Sequence, residues 1–404
     1  MDILFLTMSS GLGNINTKGI YTDLMRKFCK EGHNVCIVHP VERRNRQLTG
    51  VKSENNLKVL GVKTLNLTKT NVIEKGIGQL LLEYQFNKAI NKHFKDIKFD
   101  TVLYSTPPIT FAKVIKNVQQ RNPEVMKYLL LKDIFPQNAV DLGMMSKSGL
   151  KGLLYKFFRR KEKELYKVSD FIGCMSPANV EYVLAHNPEI SPSKVEIAPN
   201  SYEVPHEQLN AFPQDDIRRR YNLPLDKPVF IYGGNMGKPQ GIPFLIRCMD
   251  AVKDRNDCHF VIVGNGTEYS RLENWYKSTQ PKSVSLFQRL PKEEYDMLAH
   301  SCDVGLIFLD YRFTIPNYPS RLLSYLMERK PLIAVTDPIC DTGKIAEENG
   351  YGFYCPSNSV EKFVGTIERM LTSDLKDMGE KGYQFFLENY NVDKTYNAII
   401  KHIK

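Results

Sequence analysis

Residues Ile3–Asn14 read ILFLTMSSGLGN, and this stretch decides the fold. Its first six residues, Ile3–Met8, form a short apolar run, as expected for a strand that is buried on both faces. A loop with two glycines follows directly, and a helix is predicted over Gly19–Lys30, ended by Gly32. A buried strand, a loop and a helix form the repeating unit of doubly wound α/β proteins.

The same unit recurs along the first half of the chain. Ser176 and Pro177 predict one helix start, since Ser is a common N-cap and Pro is favoured at the first helical position. Other helices are predicted at residues 74–95 and 109–120. Further strands are predicted at residues 34–40, 58–62, 101–105, 128–132, 171–175 and 195–198.

The pattern restarts after an irregular, proline-bearing stretch at residues 199–224. Residues Pro228–Ile242 read PVFIYGGNMGKPQGI, again a strand and a glycine-rich loop before a helix. Later strands are predicted at residues 259–266, 284–287, 304–309 and 332–335, with helices at 242–252, 272–277, 292–300, 320–327 and 359–371 and a helical tail over 375–404.

This alternation predicts an α/β fold with two doubly wound, Rossmann-like domains that face a central cleft. Ligands of open α/β sheets bind beyond the carboxyl ends of the strands. The expected bounds are 1–200 for the first domain, 201–224 for a linker and 225–384 for the second domain. A C-terminal helix, about residues 385–404, is expected to pack back on the first domain.

The positive charge of the chain is concentrated in its first half. Residues 1–200 hold 30 Lys and Arg against 18 Asp and Glu, a net charge of +12, whereas residues 201–404 hold 25 against 27, a net charge of −2. Such asymmetry predicts an anionic partner for the first half, such as phosphates, a membrane surface or nucleic acid. Nucleic acid is disfavoured, because the sequence has no RNP1, helix-turn-helix or zinc-finger pattern.

The composition excludes several other classes of protein. Hydrophobic residues make up 42% of the 404 residues and charged residues 25%, which is ordinary for globular proteins. The eight cysteines lack C-x-x-C spacing and the eight histidines lack zinc-site spacing, which predicts a reduced compartment and no zinc. No signal peptide and no apolar stretch of about 20 residues is visible, so we expect a cytoplasmic location.

Two nucleotide-binding families are also disfavoured. A dinucleotide-binding loop needs a third glycine, but Gly11 and Gly13 are followed by Asn14, Ile15 and Asn16. The phosphate-binding motif G-x-x-x-x-G-K-[ST] is absent from the sequence.

Five stretches together carry a family resemblance. They are KDIFPQNAVDLGM (Lys132–Met144), residues Ser176–Glu203, YGGNMGKPQGI (Tyr232–Ile242), FVIVGNGTEYSRLE (Phe260–Glu273) and YPSRLLSYLMERKPLIAVTD (Tyr318–Asp337). In this order the chain resembles the family 4 glycosyltransferases of the GT-B fold, in particular bacterial enzymes of O-antigen, capsule and exopolysaccharide assembly. The resemblance covers nearly the whole chain.

The donor diphosphate must be held by a metal or by backbone amides, helix N-termini and cations. The sequence has no Asp-x-Asp motif, which fits a site without metal or other cofactor. One candidate is the glycine-rich loop with Gly237 and Lys238, although an ordinary turn has the same composition. The other is the helix start at Ser320, Arg321 and Leu322, where a plain N-terminus is the alternative. The resemblance adds the amides around Gly13, facing the donor phosphate or the acceptor.

Two positions depart from the family pattern. Many members have Arg and Lys where this chain has Asn235 and Gln240, so Lys238 and Arg321 are expected to replace them. Ser324 stands where many members have the glutamate that binds ribose. Glu328 is a possible substitute for that glutamate or a solvated residue of the helix surface. The resemblance also places the nucleobase near Arg289 and Leu290.

Catalytic candidates lie in the first half. Lys132 and Asp133 end a predicted strand, and the resemblance places Lys132 near a histidine that touches the donor sugar. Asp133 is expected to orient or deprotonate an acceptor hydroxyl. A strand-end cap or an ion pair with Lys132 is the alternative. The resemblance further implies retention of anomeric configuration, with the departing phosphate taking the acceptor proton.

Two basic segments are candidates for contact with the acceptor or the membrane. Residues Leu150–Lys163 read LKGLLYKFFRRKEK, with apolar residues at helical spacing among basic ones, including Lys156, Arg159 and Arg160. The alternative is that its apolar stripe packs on its own sheet. Arg43, Arg44 and Arg46 follow a strand and suit a lipid-carrier phosphate, or form a mobile surface loop.

The sequence therefore predicts a retaining, metal-independent glycosyltransferase. Its expected partners are a nucleotide sugar, most readily a UDP-sugar, a lipid-linked saccharide and the inner face of an anionic membrane. A non-hydrolysing UDP-sugar 2-epimerase and a non-catalytic sugar-nucleotide-binding subunit are the alternatives.

Overall fold

The computed structural model describes residues 1–68, 70–204 and 213–403 of the chain. The chain divides into two units. Unit 1 comprises Met1–Glu203 and Tyr390–Lys404, and unit 2 comprises Val204–Asn389.

Unit 1 is built on an eight-stranded sheet. Its strands are β1 (Asp2–Leu6), β2 (Asn34–Glu42), β3 (Gly50–Glu54), β4 (Leu57–Thr64), β5 (Thr101–Ser105), β6 (Met126–Leu130), β7 (Phe171–Cys174) and β8 (Val195–Ile197). The spatial order is β3-β4-β2-β1-β5-β6-β7-β8. All neighbours are parallel except β3 and β4. Strand β3 was not predicted from the sequence, because it is an edge strand of mostly exposed residues without an apolar run.

Helices cover both faces of this sheet. They are α1 (Ile20–Lys30), α2 (Val72–His93), α3 (Ala112–Arg121), α4 (Gln137–Asp141), α5 (Gly149–Val168) and α6 (Pro177–His186). Right-handed crossovers place α2, α3, α5 and α6 on one face and α1 on the other. After unit 2 the chain returns with α15 (Val392–Ile400), which packs beside α1 on a shared core that includes Leu24, Phe28 and Ile399.

Unit 2 has six parallel strands. They are β9 (Val229–Asn235), β10 (His259–Asn265), β11 (Val284–Gln288), β12 (Val304–Phe308), β13 (Leu332–Thr336) and β14 (Gly352–Pro356). The order β11-β10-β9-β12-β13-β14 is the 3-2-1-4-5-6 order of doubly wound folds. The helices are α7 (Gln214–Arg220), α8 (Ile242–Val252), α9 (Tyr269–Thr279), α10 (Lys292–Ser301), α11 (Arg321–Met327), α12 (Thr342–Glu348), α13 (Val360–Leu371) and α14 (Leu375–Asn389). The predicted α/β class with two doubly wound domains is confirmed.

Three local features differ from the prediction. Helix α7 lies inside the stretch expected to be an irregular linker, anchored where Arg218 donates to the Ser301 carbonyl and the Asp303 carboxylate; residues 205–212 of that stretch lie outside the described residues. Helix α12 and strand β14 were not predicted. The expected continuous helical tail is two helices, because Asn391 begins α15 by accepting the Lys394 amide.

Candidate functional site

The strands of unit 2 end together at one edge of the sheet, its carboxyl edge. Gly234 of β9 pairs with Gly264 of β10, which pairs with Gln288 of β11. Neighbouring strands lie about 4.8 Å apart, so the ends of β9 and β11 are separated by about 10 Å. Arg289 and Leu290 follow Gln288 and therefore lie at the same edge as the glycine-rich loop, with Arg289 exposed.

Glycine is required at the end of β9. A Cβ atom on Gly233 would lie 2.0 Å from the Tyr295 hydroxyl, and one on Gly264 would lie 2.0 Å from the Gly234 carbonyl oxygen. Gly234 has φ +146°, a conformation that side chains disfavour. The backbone therefore passes unusually close to its neighbours here, and no other residue fits at Gly233 or Gly264.

In the loop after β9, the Gly237 amide was expected to bind the donor phosphate, but it already has a hydrogen-bond partner. The Gly237 amide donates to the side-chain oxygen of Gln240 at 3.1 Å, and the Asn235 side chain donates to the same oxygen at 3.0 Å. The Gly237 N–H is thus already bonded in this conformation. The Lys238 side chain is exposed and has no hydrogen bond or ion pair with any residue that the structure describes, so its ammonium group is available to an anion.

Arg321 lies beside the glycine-rich loop, as the sequence led us to expect. Its guanidinium carbon is 4.6 Å from the centre of the Tyr295 ring, a cation–π contact. A Cβ on Gly234 would be 3.8 Å from Nη2 of Arg321. The fold therefore brings Arg321, Gly234 and Tyr295 together. Sequence reasoning missed Tyr295, because a tyrosine within a helix gives no signal of what its ring supports.

The start of α11 differs from the expected anion-binding N-terminus. Ser320 precedes the helix but makes no side-chain capping hydrogen bond, because its backbone already has helical torsion angles. The Leu322 amide donates to the Pro319 carbonyl at 3.1 Å, and its side chain is buried. Ser320 as a side-chain cap and Leu322 as a free amide donor are therefore corrected. Arg321 is the part of this motif whose charge lies near the loop.

Glu328 does not lie with the other candidates. Helix α11 returns the chain from the carboxyl edge of the sheet toward its amino edge, and Glu328 is its C-cap. There the Glu328 carboxylate lies 2.8 Å from Nδ1 of His300, shortly before β12 begins. A role in binding ribose is thus contradicted, because a helix between parallel strands carries its two ends to opposite edges. Ser324, three residues into the helix, is half-buried and remains a candidate.

Glu328→Gln is expected to leave UDP affinity unchanged within about twofold and to lower the free energy of unfolding by about 1 kcal/mol, through loss of the charged contact with His300. Calorimetric UDP binding and urea unfolding measure the two effects. Glu293→Gln, at an exposed position of α10, serves as the control. A large loss of UDP affinity in the Glu328 variant alone would restore its assignment to the ribose site.

In unit 1, the carboxyl ends of β1, β5 and β6 lie side by side. Ser105 donates to the Thr7 hydroxyl at 3.1 Å, joining β5 to β1. The Thr106 hydroxyl oxygen accepts the amides of Lys132 and Asp133 at 2.9 and 3.2 Å, which fixes the chain just after β6. Thr106 is a positioning residue that the sequence did not reveal.

Lys132 and Asp133 point to different partners. The Lys132 ammonium donates to the Ala198 carbonyl at 3.0 Å and not to Asp133, so the alternative of an ion pair between them is not realised. Burial lowers the pKa of Lys132 to about 7. Solvent reaches the Asp133 side chain, yet the surrounding protein displaces enough water to raise its pKa to about 6. Near-neutral pKa values are typical of groups that exchange protons in catalysis.

The glycines after β1 lie in a short 3-10 helix, Ser10–Gly13. A Cβ on Gly11 or Gly13 would meet open space. The amide of Gly13 remains a candidate for a ligand, although the packing of unit 1 itself does not require glycine there.

The arginines after β2 are partly neutralised. Arg43 pairs with Glu74 at 3.1 Å, and Arg44 pairs with Glu42 at 2.7 Å. Arg46 is exposed and has no ion pair among the described residues. The cluster is therefore less basic than its sequence suggests, because acidic side chains from β2 and α2 fold against it.

Some basic residues of α5 are paired with acidic side chains, and others are not. Arg159 is held by Glu162 and by the Asn187 side chain, and Arg160 pairs with Glu164 at 3.2 Å. Lys156 is exposed and has no ion pair within the described part of the chain. The apolar residues Leu150, Leu153, Leu154 and Phe157 are all exposed. The alternative that this stripe packs on its own sheet is thus contradicted for the first half of α5.

The described residues show neither a metal-binding cluster nor a membrane-spanning helix. No group of three or more His, Cys, Asp or Glu side chains in residues 1–68, 70–204 and 213–403 is arranged to hold a metal ion. In the same ranges no helix is long and apolar enough to cross a membrane.

The second unit identifies the class of protein. Residues 213–385 match the family model described as Glycosyl transferases group 1. This part of the chain, which includes the glycine-rich loop and Arg321, is a group 1 glycosyltransferase domain, and the protein is a glycosyltransferase. Both the predicted family resemblance and the predicted enzyme class are confirmed.

The chain is also similar to individual proteins, at low sequence identity. WbjE of Pseudomonas aeruginosa, described as a glycosyltransferase, is 24% identical over 326 residues, which cover 80% of this chain and 78% of WbjE. WcaI of Escherichia coli K12, described as a colanic acid biosynthesis glycosyl transferase, is 27% identical over 161 residues, 39% of each chain. The crystal structure of Anabaena Alr3699/HepE in complex with UDP and glucose has a TM-score of 0.69 at 12% identity, covering 99% of this chain and 98% of that one. At this identity the match shows a shared fold.

Proposed function

We propose that this glycosyltransferase moves a sugar from a UDP-sugar to a lipid-linked saccharide in the synthesis of a bacterial surface polysaccharide, such as capsule or O-antigen. The observation that carries the donor proposal is the placement of Arg321 beside Gly234, at the edge where β11 also ends. A separation of about 10 Å between the ends of β9 and β11 suits a diphosphate at one strand and a base at the other. The description of WcaI and the UDP in the HepE crystal structure support the choice of pathway and nucleotide.

The diphosphate is held by cations and backbone amides in this proposal, without a metal. Arg321 supplies a charged, directional contact and Lys238 a second positive charge. Asp133 orients or deprotonates the acceptor hydroxyl, and Lys132 adds positive charge below its pKa of about 7. The reaction proceeds with retention, and the acceptor proton ends on the departing phosphate, either directly or by way of Asp133.

The exposed apolar stripe of α5, together with Lys156, supports a location on an anionic membrane at its inner face, where the lipid-linked acceptor of this proposal would lie. The net charge of +12 in residues 1–200 supports this assignment. Unit 1 then meets the acceptor, and unit 2 binds the donor.

The test is release of UDP from UDP-sugars in the presence of lipid-linked saccharides, with and without EDTA. We expect acceptor-dependent release that EDTA leaves within about twofold, because amides and cations replace the metal. Complete loss of activity with EDTA would contradict the metal-independent mechanism. Tight UDP binding without transfer to any acceptor, or donor turnover without an acceptor, would contradict the transfer reaction proposed here.

A further inference from the structure

The large apolar side chains that unit 1 exposes are concentrated on two helices. Helix α5 exposes Leu150, Leu153, Leu154 and Phe157, with Leu150 87% exposed. Helix α2 exposes a second set with the same i, i+3, i+4, i+7 spacing, and its members are Ile77, Leu80, Leu81 and Tyr84. Contiguous exposed apolar surface of this kind is typical of an interaction site.

The exposed stripe on α2 could not be predicted from the sequence, because this helix has apolar residues on two faces. Leu82, Phe86 and Ile90 face the interior and are fully or almost fully buried. A helix with two apolar faces normally has both of them covered. The outer face of α2 is therefore expected to have an occupant of its own.

The lengths of the elements contribute to the exposure of the α5 stripe, whereas the α2 stripe is exposed because it lies opposite the buried face of its helix. Helices α2 and α5 have 22 and 20 residues, so they are about 33 and 30 Å long. Strands β5 and β6 have five residues each and span only about 17 Å. Each helix therefore exceeds these strands by about 13–16 Å, or about nine to eleven residues. Strand β4, which α2 also contacts, has eight residues and spans about 26 Å. The exposed stripe of α5 and Ile77, Leu80 and Leu81 of α2 lie in the first halves of the helices, and Tyr84 lies just past the middle of α2. Phe86 and Leu165, further along the two helices, are fully buried.

Topology places the two projecting ends together. Right-handed crossovers put α2, α3 and α5 on the same face of the sheet, and α3 contacts both α2 and α5. Both long helices begin after the carboxyl ends of their preceding strands, β4 and β6, so both exposed halves lie at that edge. Packed helices are 8–10 Å apart, so the axes of α2 and α5 lie about 16–20 Å apart. The intervening α3 has only 10 residues.

The charged residues around the stripes of α2 and α5 indicate what kind of partner covers them. Lys88 is exposed one turn after Tyr84, and Lys151 and Lys156 are exposed beside the α5 stripe. The acidic side chains of the first part of α2 are engaged, since Glu83 accepts the Lys113 amide at 2.7 Å and Glu74 pairs with Arg43. Apolar stripes bordered by lysines fit the boundary between acyl chains and anionic headgroups. Two stripes on separate helices at one edge fit an extended surface better than a single groove on a protein.

We propose that α2 and α5 form a two-helix contact with an anionic lipid surface, in which Ile77, Leu80, Leu81 and Tyr84 insert beside the stripe of α5. This inference rests on the membrane location assigned above to α5 and adds a second, independent element. It also sets the orientation of unit 1, because two separate lines of contact define a plane, whereas one helix alone permits rotation about its axis.

The single tryptophan of the chain makes a direct test possible. In a Trp275→Phe background, one tryptophan is introduced at a time by Tyr84→Trp, Phe157→Trp or, as a control, Leu225→Trp. Leu225 is an exposed leucine of unit 2 with the same 41% exposure as Phe157. Vesicles of phosphatidylethanolamine and phosphatidylglycerol, with and without brominated acyl chains, are then added to the full-length protein.

We expect emission at positions 84 and 157 to shift to shorter wavelength and to be quenched by the brominated lipid, and emission at position 225 to do neither. A response at 157 without one at 84 would overturn the two-helix contact while leaving α5 on the membrane. No response at either position would overturn the membrane location as well, and UDP release would remain a separate test of the catalytic proposal. A shift at 84 caused by raising the protein concentration without vesicles would assign the stripe to a second copy of this chain.

A second measurement does not depend on a probe. Leu80→Gln combined with Leu81→Gln is expected to lower binding to anionic vesicles at least about tenfold, since two leucines no longer leave water on binding. Both side chains are exposed, so the variant is expected to fold, and its thermal unfolding should match that of Leu225→Gln. Unchanged vesicle binding in this folded variant would contradict the proposal.

Discussion

Asp133→Asn is expected to lower the rate of sugar transfer by about 10²- to 10⁴-fold, the usual contribution of a group that handles a proton in the transition state. The side chain is reached by solvent, and no hydrogen bond or ion pair in the described part of the structure occupies its carboxylate. Its backbone is fixed by the Thr106 hydroxyl at 3.2 Å. The substitution preserves size and leaves the polypeptide otherwise intact, so donor affinity should be unchanged.

The pH profile provides the matching evidence. Asp133 acts when deprotonated, so activity should fall as the pH drops below its pKa of about 6. Lys132 contributes its charge when protonated, so activity should fall again as the pH rises above its pKa of about 7. The wild-type enzyme should thus have a bell-shaped profile with its optimum between these values, and Asp133→Asn should lack the acidic limb.

Asp96→Asn provides the control, because Asp96 is an exposed aspartate of the same unit. Initial rates at saturating donor, measured across the pH range for both variants, separate a catalytic effect from a general effect of charge. A rate for Asp133→Asn close to that of Asp96→Asn would contradict the assignment of Asp133 to catalysis.

Arg321→Ala is expected to weaken UDP binding by about 10- to 150-fold, or about 1.5–3 kcal/mol, as for loss of a hydrogen bond to a charged group. Lys238→Ala should have a smaller effect, about fivefold, because its exposed ammonium is a flexible point charge. Isothermal titration with UDP measures both effects. Arg271→Ala, which removes an exposed arginine of α9, serves as the control. Unchanged affinity in both test variants would contradict the phosphate site.

The role of Tyr295 is tested through the same measurement. Tyr295→Leu removes the ring over which Arg321 lies and should weaken UDP binding several-fold although Arg321 is still present. Tyr295→Phe keeps the ring and should retain most of the affinity, since a cation–π contact of about 0.5–2 kcal/mol needs the ring face alone. Equal losses in the two variants would assign the effect to the hydroxyl and not to support of the guanidinium.

Most of the fold could be predicted because buried parallel strands are apolar runs. The predicted helix at residues 242–252 and the strand at 101–105 coincide with α8 and β5. Elements without such a signal were missed. Strand β3 is exposed at an edge, and α7 lies in a proline-bearing stretch. The break between α14 and α15 depends on the Asn391 cap, a single local contact.

The candidate sites were predicted only in part. The placement of Lys238, Lys132 and Asp133 just after strands could be predicted, because chain order alone places a residue at the end of a strand. Glu328 was misplaced, since the sequence shows that it is one turn beyond Ser324 but not that this turn leads away from the ligand edge. The Gly237 and Leu322 amides were expected to be free, whereas Gln240 and Pro319 accept them.

The amino-acid sequence by itself determined the α/β class, the two doubly wound halves, the excess of positive charge in the first half and the resemblance to glycosyltransferases. These properties depend on local periodicity, composition and motif order, all of which can be read from the order of residues along the chain. The tertiary structure alone shows which polar groups are already bonded, that Tyr295 supports Arg321, and that the apolar stripes of α2 and α5 are uncovered. Those outcomes depend on contacts between residues far apart in the chain and on helix lengths relative to strand lengths, and neither is specified by any single segment.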